Sequence, residues 1–309
     1  MAEQALRAVA LMGATASGKS ALAMSLAQMT GTIIICCDSM QVYQGLDIGT
    51  AKASVEDQAR VPHAMLDCCT LHDAFSAARW AALVAEIIRR ENDAGRLPLI
   101  VGGTGLYLRA LIQGLADIPE EGSGIRNGLM LRLQTEGIES LHAELSGVDA
   151  ATAARLAVND TQRIIRALSV YHSSGRALSA WIAEGNQAPA CDIPVFVLDV
   201  PRALLREQIA GRFAAMLDAG WLDELRWLGG FELPDTHPAL RAVGYRQLLV
   251  HARGECDLQQ AVRDGVTATR RYAKRQQTWF AHQTPQAVHG DSATLGTMIA
   301  PLLVKAVQA

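Results

Sequence analysis

The stretch Gly13-Ala14-Thr15-Ala16-Ser17-Gly18-Lys19-Ser20 has residue types and spacing suited to holding an anion. Two glycines let the backbone wrap tightly, so that successive N–H groups can point inward. Lys19 adds a positive charge, and Ser20 offers a hydroxyl to Mg2+. A helix beginning at that point would add its positive dipole end. This is chemistry for a phosphate or a diphosphate, and it leaves open whose phosphates they are. Two more polar clusters follow apolar runs: Asp38-Ser39-Met40-Gln41-Val42-Tyr43 and Gly102-Gly-Thr104-Gly105-Leu-Tyr107. Polar side chains just past the carboxyl end of a strand lie where ligands bind in open α/β sheets.

A second kind of chemistry sits in the basic segments. In Asn159-Asp-Thr-Gln162-Arg163-Ile164-Ile165-Arg166, Gln162 and Arg166 are four apart and Arg163 and Arg166 three apart, so they share a helix face. From Arg241 to Pro285 there are eight Lys/Arg against three Asp/Glu, although the net charge of the chain is −3. Arg270/Lys274 and Arg271/Arg275 are like-charge pairs four residues apart, which weaken an isolated helix. Beside Trp279 and Phe280 they suit a polyanion with stackable bases, RNA above all.

The elements that must position these groups read as alternating strands and helices. Ala8–Met12, Thr32–Cys37, Leu97–Val101 and Ile193–Leu198 are apolar, partly β-branched runs expected to be parallel strands of one sheet, and His63–Asp67 reads as a further short strand. Ala21 onward and Phe75–Glu91 read as helices between them. Strand patterns vanish after the breaker cluster Pro119-Glu-Glu-Gly-Ser-Gly124. Helical stretches then run over Ile125–Glu136, Ile138–Leu145, Ala150–Leu156 and Thr161–Ser173, closed by the polar Glu184–Pro189. Further helices are expected over Arg202–Ala219, Trp221–Leu228, Ala239–Arg253 and Leu258–His282. The expected fold is an α/β, P-loop NTPase-like, doubly wound parallel sheet with a helical C-terminal region. Residues 1–119 and 189–309 form that core, and 120–188 a small inserted helical domain.

With 309 residues, half of them hydrophobic, the chain can bury a sizeable core. No run approaches a membrane span and the first residues lack the features of a signal peptide, so a cytoplasmic protein is expected. The six cysteines include two adjacent pairs, Cys36-Cys37 and Cys68-Cys69, with no C-x-x-C, and read as reduced thiols. Isolated histidines such as His142 and His251 form no cluster that implies zinc.

In order along the chain, these segments resemble the tRNA dimethylallyltransferases, or isopentenyl-diphosphate:tRNA transferases. The matching motifs are Gly13–Ser20, Asp38–Tyr43, Val101-Gly-Gly-Thr-Gly-Leu-Tyr107 and Asn159–Leu168. Ala242-Val-Gly-Tyr-Arg-Gln247 and Lys274-Arg-Gln-Gln-Thr-Trp-Phe280 complete the set. The phosphate loop alone is shared by many NTPases; the ordered set is specific. Three positions depart from the family pattern: Ala14 for a usual proline, Ala64 in a frequent His-His pair, and Ala281 for a common arginine.

The resemblance implies transfer of a dimethylallyl group from dimethylallyl diphosphate to the N6 amine of the adenosine 3′-adjacent to the anticodon, with Mg2+. Gly13, Ala14, Thr15, Ala16, Ser17, Gly18, Lys19, Ser20 and Arg212 would hold the diphosphate, with Ser20 on the metal. Asp38, Lys19 and Thr104 would be catalytic. Asp38 is the candidate base, although an acid at this position in P-loop proteins also serves Mg2+. The tRNA anticodon stem-loop would meet Asp38, Ser39, Met40, Gln41, Thr104, Arg126, Gln162, Arg163, Ile164, Ile165 and Arg166. In the C-terminal third it would meet Arg241, Tyr245, Arg246, Lys274, Arg275 and Trp279. Tyr43 and Tyr107 would either stack on the base or pack. The target base must flip out of its loop to be reached. The enzyme is expected to act as a monomer, away from membranes. The rival reading is a P-loop small-molecule or nucleotide kinase, which would share Lys19 and Ser20 but has no use for the basic helices.

Overall fold

A computed structural model describes residues 5–118, 123–185 and 189–305. The breaker residues 119–122 and 186–188 lie outside the described residues. Two compact units emerge, Met1–Ile112 with Pro189–Ala309, and Gln113–Ala188.

The first unit is built on parallel strands. In chain order they are β1 (Leu6–Arg7), β2 (Val9–Gly13), β3 (Ile34–Cys37), β4 (His63–Ala64), β5 (Leu99–Gly102), β6 (Cys191–Asp192), β7 (Val195–Leu198) and β8 (Val288–Gly290). The main sheet has the order β4-β3-β5-β2-β7-β8, and β1 pairs with β6. Every pairing is parallel, so the carboxyl ends of β2, β3 and β5 come out side by side: Met12 and Cys37 both sit opposite Gly102. From β2 the chain first goes to β3 on one side and later to β7 on the other. Such a reversal opens a crevice at the strand ends.

The continuous apolar runs follow from burial on both faces. Val9 and Leu11 of β2 turn toward Ala23, Leu26, Leu295 and Ile299. Ala8, Ala10 and Met12 turn to the opposite core with Trp80, Val84, Trp221 and Phe280. The helices on the first face are Lys19–Thr30 and Ser292–Lys305. The latter carries Pro301 within it, and β8 is a short edge strand with two exposed residues, so neither shows a clear pattern in sequence. The expected helix over Ala239–Arg253 is in fact two, Pro238–Arg241 and Tyr245–Ala252, parted at Ala242-Val-Gly244. Leu258–Gln283 is a single long helix of 26 residues.

The second unit is built mainly of the helices Ser123–Glu136, Ile138–Val148, Ala150–Ala153, Thr161–Ser174 and Leu178–Ala183. Leu129, Leu141, Leu145, Ile164, Ile165 and Leu168 form its core. Asp149 accepts hydrogen bonds from the Thr152 and Ser179 amides, joining the starts of two helices. Among the described residues no helix is long and apolar enough to cross a membrane.

The chain leaves the sheet unit and returns to it at neighbouring points. The Cys191 thiol, just after the return, donates to the Leu111 carbonyl at 3.6 Å. A short Gly/Ser linker in place of residues 113–188 is therefore expected to leave a sheet unit that unfolds cooperatively on heating. A deletion product without a cooperative transition by circular dichroism would make the helical unit integral to the core.

Candidate functional site

The Gly13–Ser20 stretch leaves β2 at Gly13 and enters the helix Lys19–Thr30. Ala16 (φ 62) and Gly18 (φ 87) are left-handed, a backbone alternation that turns amides toward a common concavity. Gly18 takes this conformation at no steric cost, whereas Ala16 bears some strain. The Ser17 amide donates to the Ala14 carbonyl at 3.2 Å, closing the loop. Its hydroxyl is buried without a hydrogen-bond partner among the described residues. Ser20 is exposed at the first turn of the helix.

Lys19 is half-buried and donates to the Ala14 carbonyl at 3.2 Å. Burial first, and Arg212 second, bring its pKa down from 10.5 to about 8, against the opposing pull of Asp38. Arg212, on the helix Arg202–Asp218, is itself lowered by burial and supported by Asp38. Lys19, Asp38 and Arg212 thus lie within one another's electrostatic field.

Asp38 follows β3, and its Oδ1 accepts from the Met40 amide at 2.8 Å and the Gln41 amide at 3.4 Å. Among the described residues nothing donates to Oδ2. Thr104 follows β5. Its amide donates to the Cys37 carbonyl at 3.2 Å, and its hydroxyl accepts from the Ser39 amide at 3.1 Å. Two strand-end turns are therefore stitched together at the groups singled out in the sequence. Met40 packs partly into the core beneath. Gln41 is differently engaged: its amide donates to the Thr50 carbonyl at 3.0 Å and the Ala51 carbonyl at 3.3 Å, and its oxygen accepts from the Cys36 thiol. Tyr43 and Tyr107 are buried, and Tyr107 stacks on Trp80 at 5.1 Å, so both pack.

Several positioning groups escaped the sequence reading. Glu224 is buried, and its carboxylate accepts from the amides of Asp47 (2.8 Å), Ile48 (2.6 Å) and Gly49 (3.1 Å). The Tyr245 hydroxyl donates to the same carboxylate. This corrects Tyr245 as an RNA contact: at 1% exposure it is a core residue that supports Glu224. The loop held by Glu224 runs on to Thr50, whose carbonyl also accepts from Arg212 at 3.5 Å. A carboxylate inside an acidic-plus-apolar helix start, Trp221-Leu-Asp-Glu224, gives no sequence signal for this role.

The helix Leu258–Gln283 passes the Gly13–Ser20 loop with Ala273 packed near Ala14. Gln276 accepts from the Thr15 amide at 2.8 Å and donates to the Gly103 carbonyl at 2.9 Å. The Tyr272 hydroxyl is raised by burial and by Asp38, which places it in the same field. Trp279 is half-buried and lies against Gly105, where an added Cβ would sit 2.3 Å from the indole Cε3. Only glycine permits that approach, so Trp279 has a packing role at the Thr104 turn.

Outward-facing charges complete the unit. Arg241, Arg246, Lys274 and Arg275 are exposed, and the Arg275 guanidinium lies 5.6 Å from the Tyr272 ring centre. In the helical unit, Arg126, Gln162, Arg163 and Arg166 with Asp160 line one open cavity of about 480 Å³. Asp160 caps the helix through the Arg163 amide and pairs with the Arg163 side chain at 3.3 Å. Ile164 and Ile165 do not share this surface. They are at most 1% exposed and belong to the unit's core, because a 3.6-residue period turns them away from Gln162, Arg163 and Arg166.

The donor set suits Mg2+, which favours oxygen ligands and typically binds through one or two protein groups plus substrate phosphates. The exposed Ser20 hydroxyl at the first turn of the helix is such a group, and the described residues hold no cluster of three His, Cys, Asp or Glu.

The model of the IPP transferase family matches residues 41–283. The tRNA dimethylallyltransferase of Thiobacillus denitrificans is 47% identical over 276 residues, 88% of each chain. The solved full-length tRNA isopentenylpyrophosphate transferase of Bacillus halodurans is 30% identical with a TM-score of 0.68, over 98% of this chain and 97% of that one. A solved eukaryotic dimethylallyltransferase acting on tRNA shares the fold, with 23% identity and a TM-score of 0.76 over 92% of this chain and 73% of that one.

The Lys19 geometry has a consequence for proton linkage. Between its folded value of about 8 and its unfolded 10.5, the unfolded chain binds more protons, so this group's contribution to stability rises with pH across that window. A bound anion favours the ammonium, so binding draws in a proton where the empty site has lost it. Calorimetric titration with a diphosphate monoester at a pH of about 8.5, in buffers of different ionisation enthalpy, should show uptake of up to about one proton. The uptake should vanish in Lys19→Met. Equal uptake in the two proteins would contradict the assignment.

Proposed function

The chain belongs to the IPP transferase family, and on that premise we propose that it moves a dimethylallyl group from dimethylallyl diphosphate to tRNA. The acceptor is the exocyclic N6 amine of the adenosine 3′-adjacent to the anticodon. The observation that carries this reading is the junction of two strand-end turns beside the Gly13–Ser20 loop, where the Thr104 hydroxyl accepts from the Ser39 amide and the Asp38 carboxylate is held by the Met40 and Gln41 amides through one oxygen.

The amine is a poor nucleophile because its lone pair is delocalised into the ring. The allylic diphosphate leaves only if its growing charge is neutralised. Phosphate-loop amides, Lys19 and Arg212 meet that charge, preorganised before the reaction. Mg2+ held through Ser20 and the diphosphate oxygens would add further neutralisation. Asp38 acts as general base. Its Oδ1 is fixed by the Met40 amide, and Oδ2 is left to take the amine proton as the N6–C1 bond forms and the C1–O bond to diphosphate breaks. The Thr104 hydroxyl already accepts from Ser39, so its own O–H remains to donate to the bridging oxygen that departs.

Ser39 lies beside Asp38, where it can meet the polar edge of the adenine. Gln41 instead shapes the turn, since its amide is committed to Thr50 and Ala51. An adenosine stacked in its loop cannot reach strand ends, so it is flipped out. Arg126, Gln162, Arg163 and Arg166 of the helical unit, and Arg241, Arg246, Lys274 and Arg275 of the sheet unit, are the groups that take the RNA backbone.

Asp38→Asn keeps the oxygen that the Met40 amide needs and removes the base. Turnover is expected to fall by about 10²-fold or more, with both substrates bound as before. Near-normal turnover would remove Asp38 from this role. Lys274→Ala and Arg275→Ala should each flatten the slope of log tRNA affinity against log salt by about 0.7–0.9. Equal loss of affinity at every salt concentration would mean that these residues act through folding instead.

A further inference from the structure

Gln276 sits among exposed, basic neighbours in sequence, yet it is only 7% exposed. Its side-chain oxygen accepts from the Thr15 amide at 2.8 Å, and its nitrogen donates to the Gly103 carbonyl at 2.9 Å. A backbone amide can only donate and a carbonyl can only accept, so this pair of partners fixes which way the carboxamide points. The two partners stand in different strand-end turns, one in the phosphate loop after β2 and one in the turn after β5 that bears Thr104. The contacts around them follow the same helix face. Ala273, three residues earlier, packs near Ala14, and Trp279, three residues later, lies against Gly105. Lys274 and Arg275 face outward.

Two consequences follow for the anion site. The Thr15 amide is withdrawn from the concavity, which leaves anion binding to the other loop amides and those at the start of the helix Lys19–Thr30. The phosphate loop and the Thr104 turn also lose their freedom to move apart, because one rigid planar group spans them. Resting on the diphosphate-transfer reading, we propose that Gln276 is a positioning residue for the reaction. It clamps the phosphate loop to the Gly103–Thr104 turn, and so sets the distance between the diphosphate cradle and the hydroxyl that meets the leaving oxygen.

Two variants separate this role from simple core packing. Gln276→Met keeps the size of the side chain and removes both hydrogen bonds, leaving the Thr15 amide and Gly103 carbonyl unpaired. Affinity for dimethylallyl diphosphate is expected to weaken by about tenfold or more, at all pH values alike. Affinity for tRNA should stay within about twofold, since the exposed basic face is untouched. Gln276→Glu gives a readout that packing would not move. When protonated, the carboxyl copies the amide, accepting from Thr15 and donating its O–H to Gly103. When ionised, it faces the Gly103 carbonyl with a second acceptor and puts negative charge beside the anion site. Its deficit relative to the unaltered protein should therefore shrink as pH falls.

The experiment is a titration of the full chain and both variants with dimethylallyl diphosphate across a range of pH, with tRNA affinity measured in parallel. A pH-independent loss in Gln276→Met with a loss in Gln276→Glu that recovers in acid supports the clamp. Affinities of both variants within about twofold of the unaltered protein, or tighter, would overturn it. So would a Gln276→Glu deficit that does not change with pH, a result that remains readable even if Gln276→Met fails to fold. Unaltered protein that binds tRNA but not dimethylallyl diphosphate would overturn the diphosphate reading itself, and the clamp with it.

Discussion

Two partly buried cations, Lys19 and Arg212, lie close enough to feel one another's charge, with the single carboxylate Asp38 to offset them. Holding like charges together away from water is unfavourable, and the lowered pKa of Lys19 records that cost. The arrangement makes physical sense when an anion completes it. The surrounding structure serves to keep these groups in place while they wait. Parallel strands bring three carboxyl ends to one edge, and the buried, alternating faces of β2 fix which residues emerge there.

Around that edge, backbone groups are held by side chains from distant parts of the chain. Glu224 gathers three amides of the loop that carries Thr50, and the Thr50 carbonyl in turn meets both Arg212 and Gln41. Tyr245 completes the shell of Glu224 from a separate helix. A buried carboxylate is tolerated only when its oxygens are fully used, and here they are. The long helix Leu258–Gln283 divides its labour by face: Gln276, Ala273 and Trp279 meet the strand-end turns, while Lys274 and Arg275 face outward.

Much of this was legible in the sequence, for identifiable reasons. A phosphate loop is local, and its glycines, lysine and serine announce it wherever strand and helix flank it. Buried parallel strands read as unbroken apolar runs, which is why β2, β3, β5 and β7 stood out. The polar residues at strand ends, Asp38 and Thr104, were placed by the same logic. The misses share another cause. Ile164 and Ile165 lie inside a basic motif but on the far side of a helix, and Tyr245 is buried between Trp221 and Glu224. Motif membership gives the position in the chain and not the direction of the side chain. Glu224 and Gln276 act across separations of 175 to 177 and 173 to 261 residues, and no local spacing encodes such partners. The helix Ser292–Lys305 was hidden by Pro301, and β8 by its exposure at the edge.

The most direct test of the whole account is to ask which group leaves which donor. Incubation with tRNA and either dimethylallyl diphosphate labelled in its allyl carbons or ATP labelled at its γ-phosphate separates the two chemistries that a phosphate loop can serve. Label is expected in tRNA from the first donor, on the adenosine next to the anticodon, with no transfer from the second. Phosphoryl transfer from ATP with no allyl label in tRNA would contradict it.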